Sequence, residues 1–339
     1  MSVKTVFGVG GVLVLVFLIG WLCFTGNRIK RELTAKYPPP GKMVDLGGFQ
    51  MHIHCQGQDS EDTPTVLMEA AEFSLSWASV QPEIAKFARV CAYDRAGLGW
   101  SEPSPDPRTG ENIVSELHLL LERAGEKPPY LLVGHSKGGM YVRLFAQKYP
   151  REVAGMVLVD SSHEEQETRF PPRVTELNRK GRKQVTGLLN ILRPLNSIGL
   201  VTPVLKSNAK MLLSTLPEGV QEMGLAVALQ EPFFTTVVAE TEAIEDTFSE
   251  IRGAQITTLG EIPLVVLTAV DQFDALEGQV SAEDIAQLKR IVRKLQEELA
   301  ALSPNGKLVP VHASGHFIQV DQPQAVIDAI HEVFEAVGE

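Results

Sequence analysis

One short segment around Ser136 constrains the fold of this chain more than any other feature. An apolar run at 130–133 leads into the sequence GHSKG, whose central residue is Ser136, and a helical pattern follows. Glycines on both sides of the serine permit a tight strand-to-helix turn, because side chains there would obstruct the backbone. In that context G-x-S-x-G is typical of a turn that holds a serine hydroxyl at the carboxyl edge of a sheet. We therefore predict a nucleophile at Ser136, against the alternative of a chance Gly-Ser loop.

Short β-rich runs alternate with helical patterns along most of the chain. Strands are predicted at 50–55, 65–68, 89–93, 130–133, 156–159, 264–268 and 307–311, and helices at 77–87, 111–123, 139–148, 281–302 and 323–337. Such alternation predicts an α/β fold with a mostly parallel sheet flanked by helices. Residues 163–261 differ, because they have helical periodicity, several prolines and no convincing buried strand. We expect two core segments, 42–162 and 262–339, separated by a helical cap at 163–261.

The amino-terminal segment has the composition of a membrane anchor. Residues 6–24 carry no charged side chain, and a helix of that length rises about 30 Å, the thickness of a bilayer's hydrocarbon core. A cleaved signal peptide is the alternative, but its apolar run is shorter, about 7 to 15 residues, and ends at a small-residue cleavage site. We predict an uncleaved, single-pass transmembrane helix at 1–27. A linker is expected at 28–41, ending in the stiff sequence YPPPG.

Charges beside the apolar run predict its orientation. One basic residue precedes the run and four follow it: Lys4 before, and Arg28, Lys30, Arg31 and Lys36 after. Because positively charged flanks tend to remain cytoplasmic, we expect the body of the chain to lie in the cytoplasm.

Charge and cysteine content exclude several other classes of protein. The chain of 339 residues has 31 Lys and Arg against 42 Asp and Glu, a net charge of −11, and no long basic run. No nucleic-acid partner is therefore expected. Its three cysteines, Cys23, Cys55 and Cys91, do not have the spacing of metal ligands, and we expect neither a disulfide framework nor a zinc site. No metal and no cofactor are expected.

A serine hydroxyl is a weak nucleophile until a base takes its proton, and histidine commonly has that role. Of the eight histidines, His316 stands in a predicted loop after the last strand and directly before a helix-start signal at 321–323. That loop lies at the carboxyl edge of the sheet, as Ser136 does. We therefore predict that His316 is the base.

With these segments in place, the chain resembles the α/β-hydrolase family over about residues 42–337. The resemblance rests on the turn around Ser136, on the sequence SGH that ends at His316, and on YDRAGLGWS at 93–101. The last segment is similar to the one that follows the family's fourth strand. The resemblance implies the α/β-hydrolase fold, with Ser136 as nucleophile and His316 as general base, in the chain order Ser, acid, His.

The resemblance also implies an oxyanion hole made of two backbone amides. One belongs to Lys137, the residue after the nucleophile. The other comes from the turn after the third strand, where the family's His-Gly is replaced by EAAEF at 69–73. Aligning Ala71 with the family's glycine assigns this donor to Glu72. The side chains of Glu72 and Lys137 have opposite charges, and they either pair across the cleft or point apart into solvent.

Three aspartates are candidates for the acid that orients His316. Asp160 follows the strand after the nucleophile, a location used by a minority of the family, or it caps the start of the insertion. Asp271 and Asp274 follow the strand at 264–268, the usual family location, but the usual Gly-x-x-Asp pattern is missing there. We favour Asp160, and we keep Asp271 and then Asp274 as alternatives.

These features together predict a membrane-anchored serine hydrolase. It would cleave an ester-type bond, in a carboxylic ester, a lipid or a thioester, through an acyl-enzyme on Ser136. Apolar stretches of the cap, at 188–192, 211–213 and 233–234, either cover a cleft for a small apolar ester or pack against one another. Dehalogenase and epoxide-hydrolase relatives need an aspartate in place of Ser136. The alternative from another class is a non-catalytic binding or scaffold protein with the same fold.

Overall fold

An eight-stranded sheet forms the centre of the protein. The structure is a computed structural model that describes residues 3–58, 60, 63–273 and 276–338. The strands are β1 (Lys42–Asp45), β2 (Gln50–Gln56), β3 (Thr65–Glu69), β4 (Val90–Tyr93), β5 (Tyr130–His135), β6 (Val153–Val159), β7 (Leu264–Ala269) and β8 (Gly306–Val311). They lie in the order β1-β2-β4-β3-β5-β6-β7-β8. The β1–β2 and β2–β4 pairs are antiparallel, and all other neighbours are parallel.

The inner strands are apolar and buried. Every residue of β3, β4, β5 and β7 is buried. Continuous apolar strands are typical of a parallel sheet that is covered on both faces, which is the predicted fold class. Each strand predicted from the sequence overlaps an observed one, and the structure adds β1 at the sheet edge.

Helices cover both faces of the sheet in the described part of the chain. One face carries α3 (Gly110–Ala124), α4 (Lys137–Lys148) and α12 (Ala282–Ala300), and the other carries α2 (Gln81–Ile84), α13 (Ile318–Asp321) and α14 (Pro323–Gly338). Leu132 of β5 packs under the first group and Val133 under the second. Successive side chains of a strand point to opposite faces, so one strand contributes to both cores.

The helix predicted at 77–87 is wrong in extent. The structure has a 3-10 turn at Ser74–Trp77 and an α-helix only over Gln81–Ile84. Pro82 lacks an amide hydrogen, so a helix cannot run through it from Trp77, and α2 instead begins with Pro82 in its first turn, where that hydrogen has no partner within the helix. The other four predicted helices correspond to α3, α4, α12 and α14, with ends that agree within two residues.

The cap lies between β6 and β7. Its helices are α5 (Gln166–Arg169), α6 (Pro172–Ser197), α7 (Thr202–Ser207), α8 (Ala209–Leu212), α9 (Gln221–Ala228), α10 (Glu231–Glu242) and α11 (Ile244–Ala254). Phe73, in the turn after β3, shares one buried cluster with Leu213 and Leu225 of the cap. Through this cluster the cap covers part of the carboxyl edge of the sheet, where parallel strands place functional residues.

An uninterrupted helix, α1 (Val3–Lys36), precedes the sheet. Its segment Val12–Lys36 is long and apolar enough to cross a bilayer, and large apolar side chains from Val12 to Phe24 are 41–69% exposed. The linker expected at 28–41 is wrong for residues 28–36, which are helical. Leu33 is only 3% exposed, because this part of the helix packs against the cap. The prolines that start at Pro38 lie just beyond the helix, where the residue before a proline disfavours helix.

Cys55 of β2 and Cys91 of β4 form a disulfide, which we did not expect from their spacing. The two residues are direct partners in the antiparallel β2–β4 pairing, with their Cα atoms 4.0 Å apart. They are 36 residues apart in sequence. The pairing depends on which strands become neighbours, and cysteine spacing does not report that order. Cys23 is free.

Candidate active site

Ser136 lies in the turn between β5 and α4, in a backbone conformation that few residues adopt. Its φ is 56° and its ψ is −122°. The flanking glycines have no room for a side chain. A Cβ atom at Gly138 would lie 2.6 Å from the carbonyl oxygen of Glu69, and one at Gly134 would lie 2.7 Å from the Cα atom of Gly139. The turn therefore requires glycine on both sides of Ser136.

The loop between β8 and α13 brings His316 to Ser136. Nε2 of His316 lies 2.8 Å from Oγ of Ser136. Two carboxylates hold the backbone of this loop: Asp321 accepts a hydrogen bond from the Gly315 amide, and Asp271 accepts one from the Ala313 amide, each at 2.8 Å. The imidazole is partly exposed, so a substrate or a water molecule can reach the Ser136–His316 pair.

Asp160 completes a chain of hydrogen bonds with these two residues. Its Oδ2 atom lies 2.6 Å from Nδ1 of His316, and its side chain is 4% exposed. The other oxygen, Oδ1, accepts hydrogen bonds from the Ala269 amide at 3.0 Å and from Nε2 of Gln272 at 3.1 Å. Asp160 has a φ of 41°, a left-handed backbone conformation that non-glycine residues seldom adopt.

Of the two candidate acids that the structure describes, Asp160 is the one placed at His316. Asp271 instead holds the Ala313 amide, so it supports the loop and does not contact the imidazole. Asp274 lies outside the described residues. Gln272, which holds the second oxygen of Asp160, was not singled out in the sequence, although it directly follows Asp271.

The two predicted oxyanion donors occupy adjacent turns. Lys137 is the first residue of α4, and the first amides of an α-helix have no acceptor within the helix. Glu72 lies in the turn after β3. Arg95 supports this turn, because its guanidinium donates hydrogen bonds to the carbonyl oxygens of Ala70 and Ala71 at 2.6 and 2.8 Å.

The suggested pairing of Glu72 with Lys137 does not form. Nζ of Lys137 donates a hydrogen bond to Oε2 of Glu240, a fully buried residue of cap helix α10. The Glu72 side chain is exposed. Glu240 displaces the expected partner because α10 passes over the start of α4, a tertiary contact between residues 103 positions apart.

Glu240 belongs to a buried group of charged side chains beside the oxyanion turn. Arg95 forms a bidentate ion pair with Glu240, at 2.8 and 3.0 Å, and also contacts Glu69, which accepts a hydrogen bond from Tyr93. Burial raises the pKa of Glu69 to about 7, although Arg95 opposes the shift. Burial acts in the same direction on Glu240, but Arg95 and Lys137 outweigh it and hold the pKa of Glu240 well below its usual range. The pKa values of the two carboxyl groups thus shift in opposite directions, because Glu240 bonds to two cations, Arg95 and Lys137, whereas Glu69 bonds to Arg95 alone among them.

A second histidine, His135, packs against His316. His135 is fully buried, and its Nε2–H donates a hydrogen bond to the backbone oxygen of His316 at 2.9 Å. Burial, reinforced by the nearby His316 ring, lowers the pKa of His135 well below its usual value. His135 therefore remains neutral and serves to hold the His316 backbone in position.

A cavity of about 340 Å³ opens at Ser136 and His316. Its other polar walls come from Ser161, Ser162, His163, Gln166, Asn178, Gln272 and Gln296, and its apolar walls come from Phe170, Phe273, Val292 and Leu295. The cap stretches expected to cover an apolar cleft do not line it. Leu188, Ile191, Met211 and Leu212 are 50–69% exposed on the outside of the cap. Of the two alternatives for these stretches, the structure favours packing over a roof, because Leu213 and Phe233 share one buried cluster with Phe73.

One group of potential metal ligands occurs among the described residues. It consists of Cys55, Cys91 and Glu126. The two sulfur atoms are joined in the disulfide, so the group offers no free thiolate, and it contains none of the residues that line the cavity.

Comparisons with known proteins agree with this architecture. A family model described as the alpha/beta hydrolase fold matches residues 70–186. An AB hydrolase superfamily protein of Gibberella zeae is 26% identical over 296 residues, which cover 81% of this chain and 87% of that protein.

Two solved structures resemble the chain over most of its length. The epoxide hydrolase CorEH has a TM-score of 0.63 and 19% identity, with coverage of 87% of this chain and 98% of that chain. A thermophilic esterase from Thermogutta terrifontis has a TM-score of 0.55 and 20% identity, with coverage of 88% and 98%. At this level of identity the two structures show the fold and leave the reaction open. The chain has the α/β-hydrolase fold, and its residues 70–186 match the model of that fold family.

Proposed function

We propose that this protein is a serine hydrolase that cleaves an ester-type bond through an acyl-enzyme on Ser136. The observation that carries the proposal is the continuous hydrogen-bonded chain from Ser136 through His316 to Asp160, with distances of 2.8 and 2.6 Å. These contacts have the geometry needed for a base to take the proton of the nucleophile and for an acid to orient that base.

In the first half of the reaction, Nε2 of His316 takes the hydroxyl proton while Oγ of Ser136 forms a bond to the carbonyl carbon. The carbonyl oxygen becomes an oxyanion, which the backbone amides of Lys137 and Glu72 stabilise. The intermediate then collapses, the bond to the leaving alcohol breaks, and His316 gives its proton to that alcohol. Asp160 holds the Nδ1 proton throughout and keeps Nε2 facing Ser136.

In the second half, a water molecule replaces the alcohol. His316 takes one proton from the water, whose oxygen bonds to the acyl carbon. The acid product leaves when the bond to Oγ of Ser136 breaks and the serine recovers its proton from His316. The balance requires water as the only co-substrate, and the same steps apply to a thioester.

The cavity supports a compact substrate with polar groups. A volume of about 340 Å³ is at the small end of ligand pockets. Side chains such as Gln166 and Asn178 can form hydrogen bonds to the acyl or alcohol part. We therefore place a small, polar ester ahead of the long apolar ester that the cap sequence suggested. Ser136 in place of an aspartate supports ester hydrolysis over epoxide opening.

Helix α1 supports membrane attachment of the enzyme. Its apolar side chains from Val12 to Phe24 are exposed on all sides, which suits contact with lipid and is unfavourable in water. We propose a single-pass anchor, with the catalytic domain in the cytoplasm as the charge pattern predicts. Carbonate extraction of membranes tests the anchor: the full-length chain should remain in the pellet and be released by detergent.

A fluorophosphonate probe tests the reaction on the full-length protein in detergent. We expect the probe to label the wild type and a Ser162→Ala variant, which removes another hydroxyl from the same cavity. Ser136→Ala should lose both labelling and ester turnover while its thermal unfolding is unchanged. Turnover that persists in Ser136→Ala would exclude the proposed nucleophile. A wild type that is neither labelled nor active on a panel of esters would favour a non-catalytic binding protein.

A further inference from the structure

Exposed apolar side chains are concentrated in two segments of the described chain. The first is α1, from Val12 to Phe24. The second is part of the cap, and its exposed large apolar residues are Val185, Leu188, Ile191, Ile198, Val204, Met211 and Leu212, each 49–69% exposed. We call this second set the cap face. Every exposed large apolar side chain of the described residues belongs to α1 or to the cap face, so the cap face is unlike the rest of the catalytic domain's surface.

The cap face lies directly beside the end of the apolar helix. Asn27 of α1 donates a hydrogen bond from Nδ2 to the backbone oxygen of Ile198 at 2.9 Å, and Lys30 donates one from Nζ to that of Asn196 at 2.6 Å. The backbones of Gly26 and Gly199 are in close contact. Since a helix rises about 1.5 Å per residue, Asn27 lies less than one turn beyond Phe24. Ile198 is therefore held at the level where α1 would leave the lipid.

The segment that carries the cap face is strongly basic. Residues 172–212 contain eight Lys and Arg against one Glu, a net charge of +7, in a chain whose net charge is −11. Arg182, Arg193 and Lys210 form ion pairs with glutamates outside this segment. Arg179 and Lys180 share the single Glu176, and their side chains are 59% and 61% exposed. A basic amphipathic surface of this kind suits anionic lipid headgroups.

We propose that the cap face docks onto the anionic surface of the bilayer that anchors α1. The inference rests on the proposed anchorage. The membrane is favoured as occupant because the face continues the lipid-exposed helix and because its charge has the sign that anionic lipids attract. Since α6 carries both Leu188 of the cap face and Asn178 of the active-site cavity, docking would fix the cavity at a set height above the membrane.

Nitroxide labels on the full-length protein in vesicles test the proposal. The background is Cys23→Ser, in which the remaining cysteines are joined in the disulfide. Labels are attached at Leu188→Cys and Met211→Cys on the cap face. Val16→Cys serves as the anchor control. Glu122→Cys is the matched surface control, because this exposed residue lies near the end of α3, at the edge of the sheet opposite the cap.

Access of the labels to a water-soluble relaxant and to oxygen gives their depth. In vesicles of phosphatidylcholine with phosphatidylglycerol, we expect the labels at 188 and 211 to lie about 5 to 10 Å into the headgroup and acyl boundary. The label at 122 should remain fully accessible from water. The reversals Arg179→Glu, Lys180→Glu and Lys183→Glu together should shift the label at 188 toward water, as should vesicles of phosphatidylcholine alone.

The controls separate the failure of this proposal from the failure of the anchor. If the label at 16 is in lipid while those at 188 and 211 are as water-accessible as the label at 122, the cap face does not dock and the inference is overturned. A label at 16 that stays in water refutes the anchor itself. Spin–spin broadening at 188 without contact with lipid would assign the face to a second copy of the chain, which also overturns the proposal.

Discussion

The side chain of Lys137, the residue after Ser136, is bound to Glu240 of the cap. Nζ of Lys137 donates to Oε2 of a carboxylate that is completely buried. Arg95 holds the same carboxylate by two hydrogen bonds and also holds the carbonyl oxygens of Ala70 and Ala71. The two turns that would supply the oxyanion donors are therefore joined through one glutamate of the cap.

Glu240 should be energetically coupled to Lys137 in catalysis. We expect Lys137→Ala to lower kcat with little change in KM, because the backbone donor remains but its turn loses support. A misplaced donor can cost on the order of 10²-fold in rate. Glu240→Gln should have a similar effect. In the double variant the two losses should not add, with a coupling of about 0.5 to 3 kcal/mol.

The same double-mutant cycle, with Glu72 in place of Glu240, provides the control. Glu72 is exposed and has no ion pair with Lys137 within 4.0 Å, so the charge of Lys137 acts on it only at longer range, and Glu72→Ala should couple to Lys137→Ala in kcat less strongly than Glu240→Gln does. If Lys137→Ala couples more strongly to Glu72→Ala than to Glu240→Gln in kcat, the result would contradict the ion pair between Lys137 and Glu240. Because loss of one buried partner destabilises a protein, the unfolding temperature of each variant is measured in parallel.

Asp160 should be the acid required for turnover. We expect Asp160→Asn to lower kcat by about 10⁴-fold, since an amide at this position favours the wrong tautomer of His316. Asp271→Asn is the matched control. The amide oxygen of this variant can still accept the hydrogen bond from Ala313, so kcat should fall by no more than about tenfold. A tenfold loss corresponds to about 1.4 kcal/mol, which is less than the typical contribution of a hydrogen bond to a charged group. Steady-state kinetics on one ester compares them, and a larger loss in Asp271→Asn would identify Asp271 as the acid.

Much of the fold could be predicted because its signals are local. Each inner strand is a continuous apolar run, and a helical pattern separates it from the next strand. The turn at Ser136 needs glycines at fixed positions on both sides of the serine. The α/β fold with a mostly parallel sheet that these patterns predict is confirmed, and so is the α/β-hydrolase fold that the family resemblance implies. The preference for Asp160 over Asp271 used strand-end position alone, and it agrees with the contact that Asp160 makes to His316.

The rest depends on contacts between distant parts of the chain. Glu240 reaches Lys137 only after the cap has folded over the core, and Cys55 meets Cys91 only because β4 is placed beside β2. Nothing in the local sequence around Glu240 indicates a buried charge. The YDRAGLGWS segment does contain Arg95, so a charged residue inside a buried motif could have suggested a carboxylate partner. The sequence predicts a linker at residues 28–36, because the packing of Leu33 against the cap has no local signal.

The state of Cys55 and Cys91 in the cell tests the proposed orientation. The charge pattern predicts that the catalytic domain lies in the cytoplasm, where thiols are kept reduced, whereas the disulfide suits an oxidising compartment. We expect all three cysteines to be alkylated when cells are quenched in acid and denatured before labelling. The protein purified in air should expose one thiol, that of Cys23. Protection of Cys55 and Cys91 in the acid-quenched cells would place the domain outside the cytoplasm and refute the orientation.

The raised pKa of Glu69 should make stability depend on pH. Its pKa is about 7 in the folded protein and near the ordinary value of 4.5 when unfolded. Between these values the folded state holds a proton that the unfolded state has released, so the free energy of unfolding falls as pH rises from about 4.5 to about 7. This stabilisation by protonated Glu69 is fully present below that pH window and lost above it, with a size on the order of 3 kcal/mol.

Chemical denaturation of the detergent-solubilised protein at several pH values measures this change in the free energy of unfolding. Glu69→Gln, which stays neutral, should flatten this part of the profile, while Glu122→Gln on the exposed surface should keep the wild-type slope. An unchanged slope in Glu69→Gln would mean that another group takes up the proton.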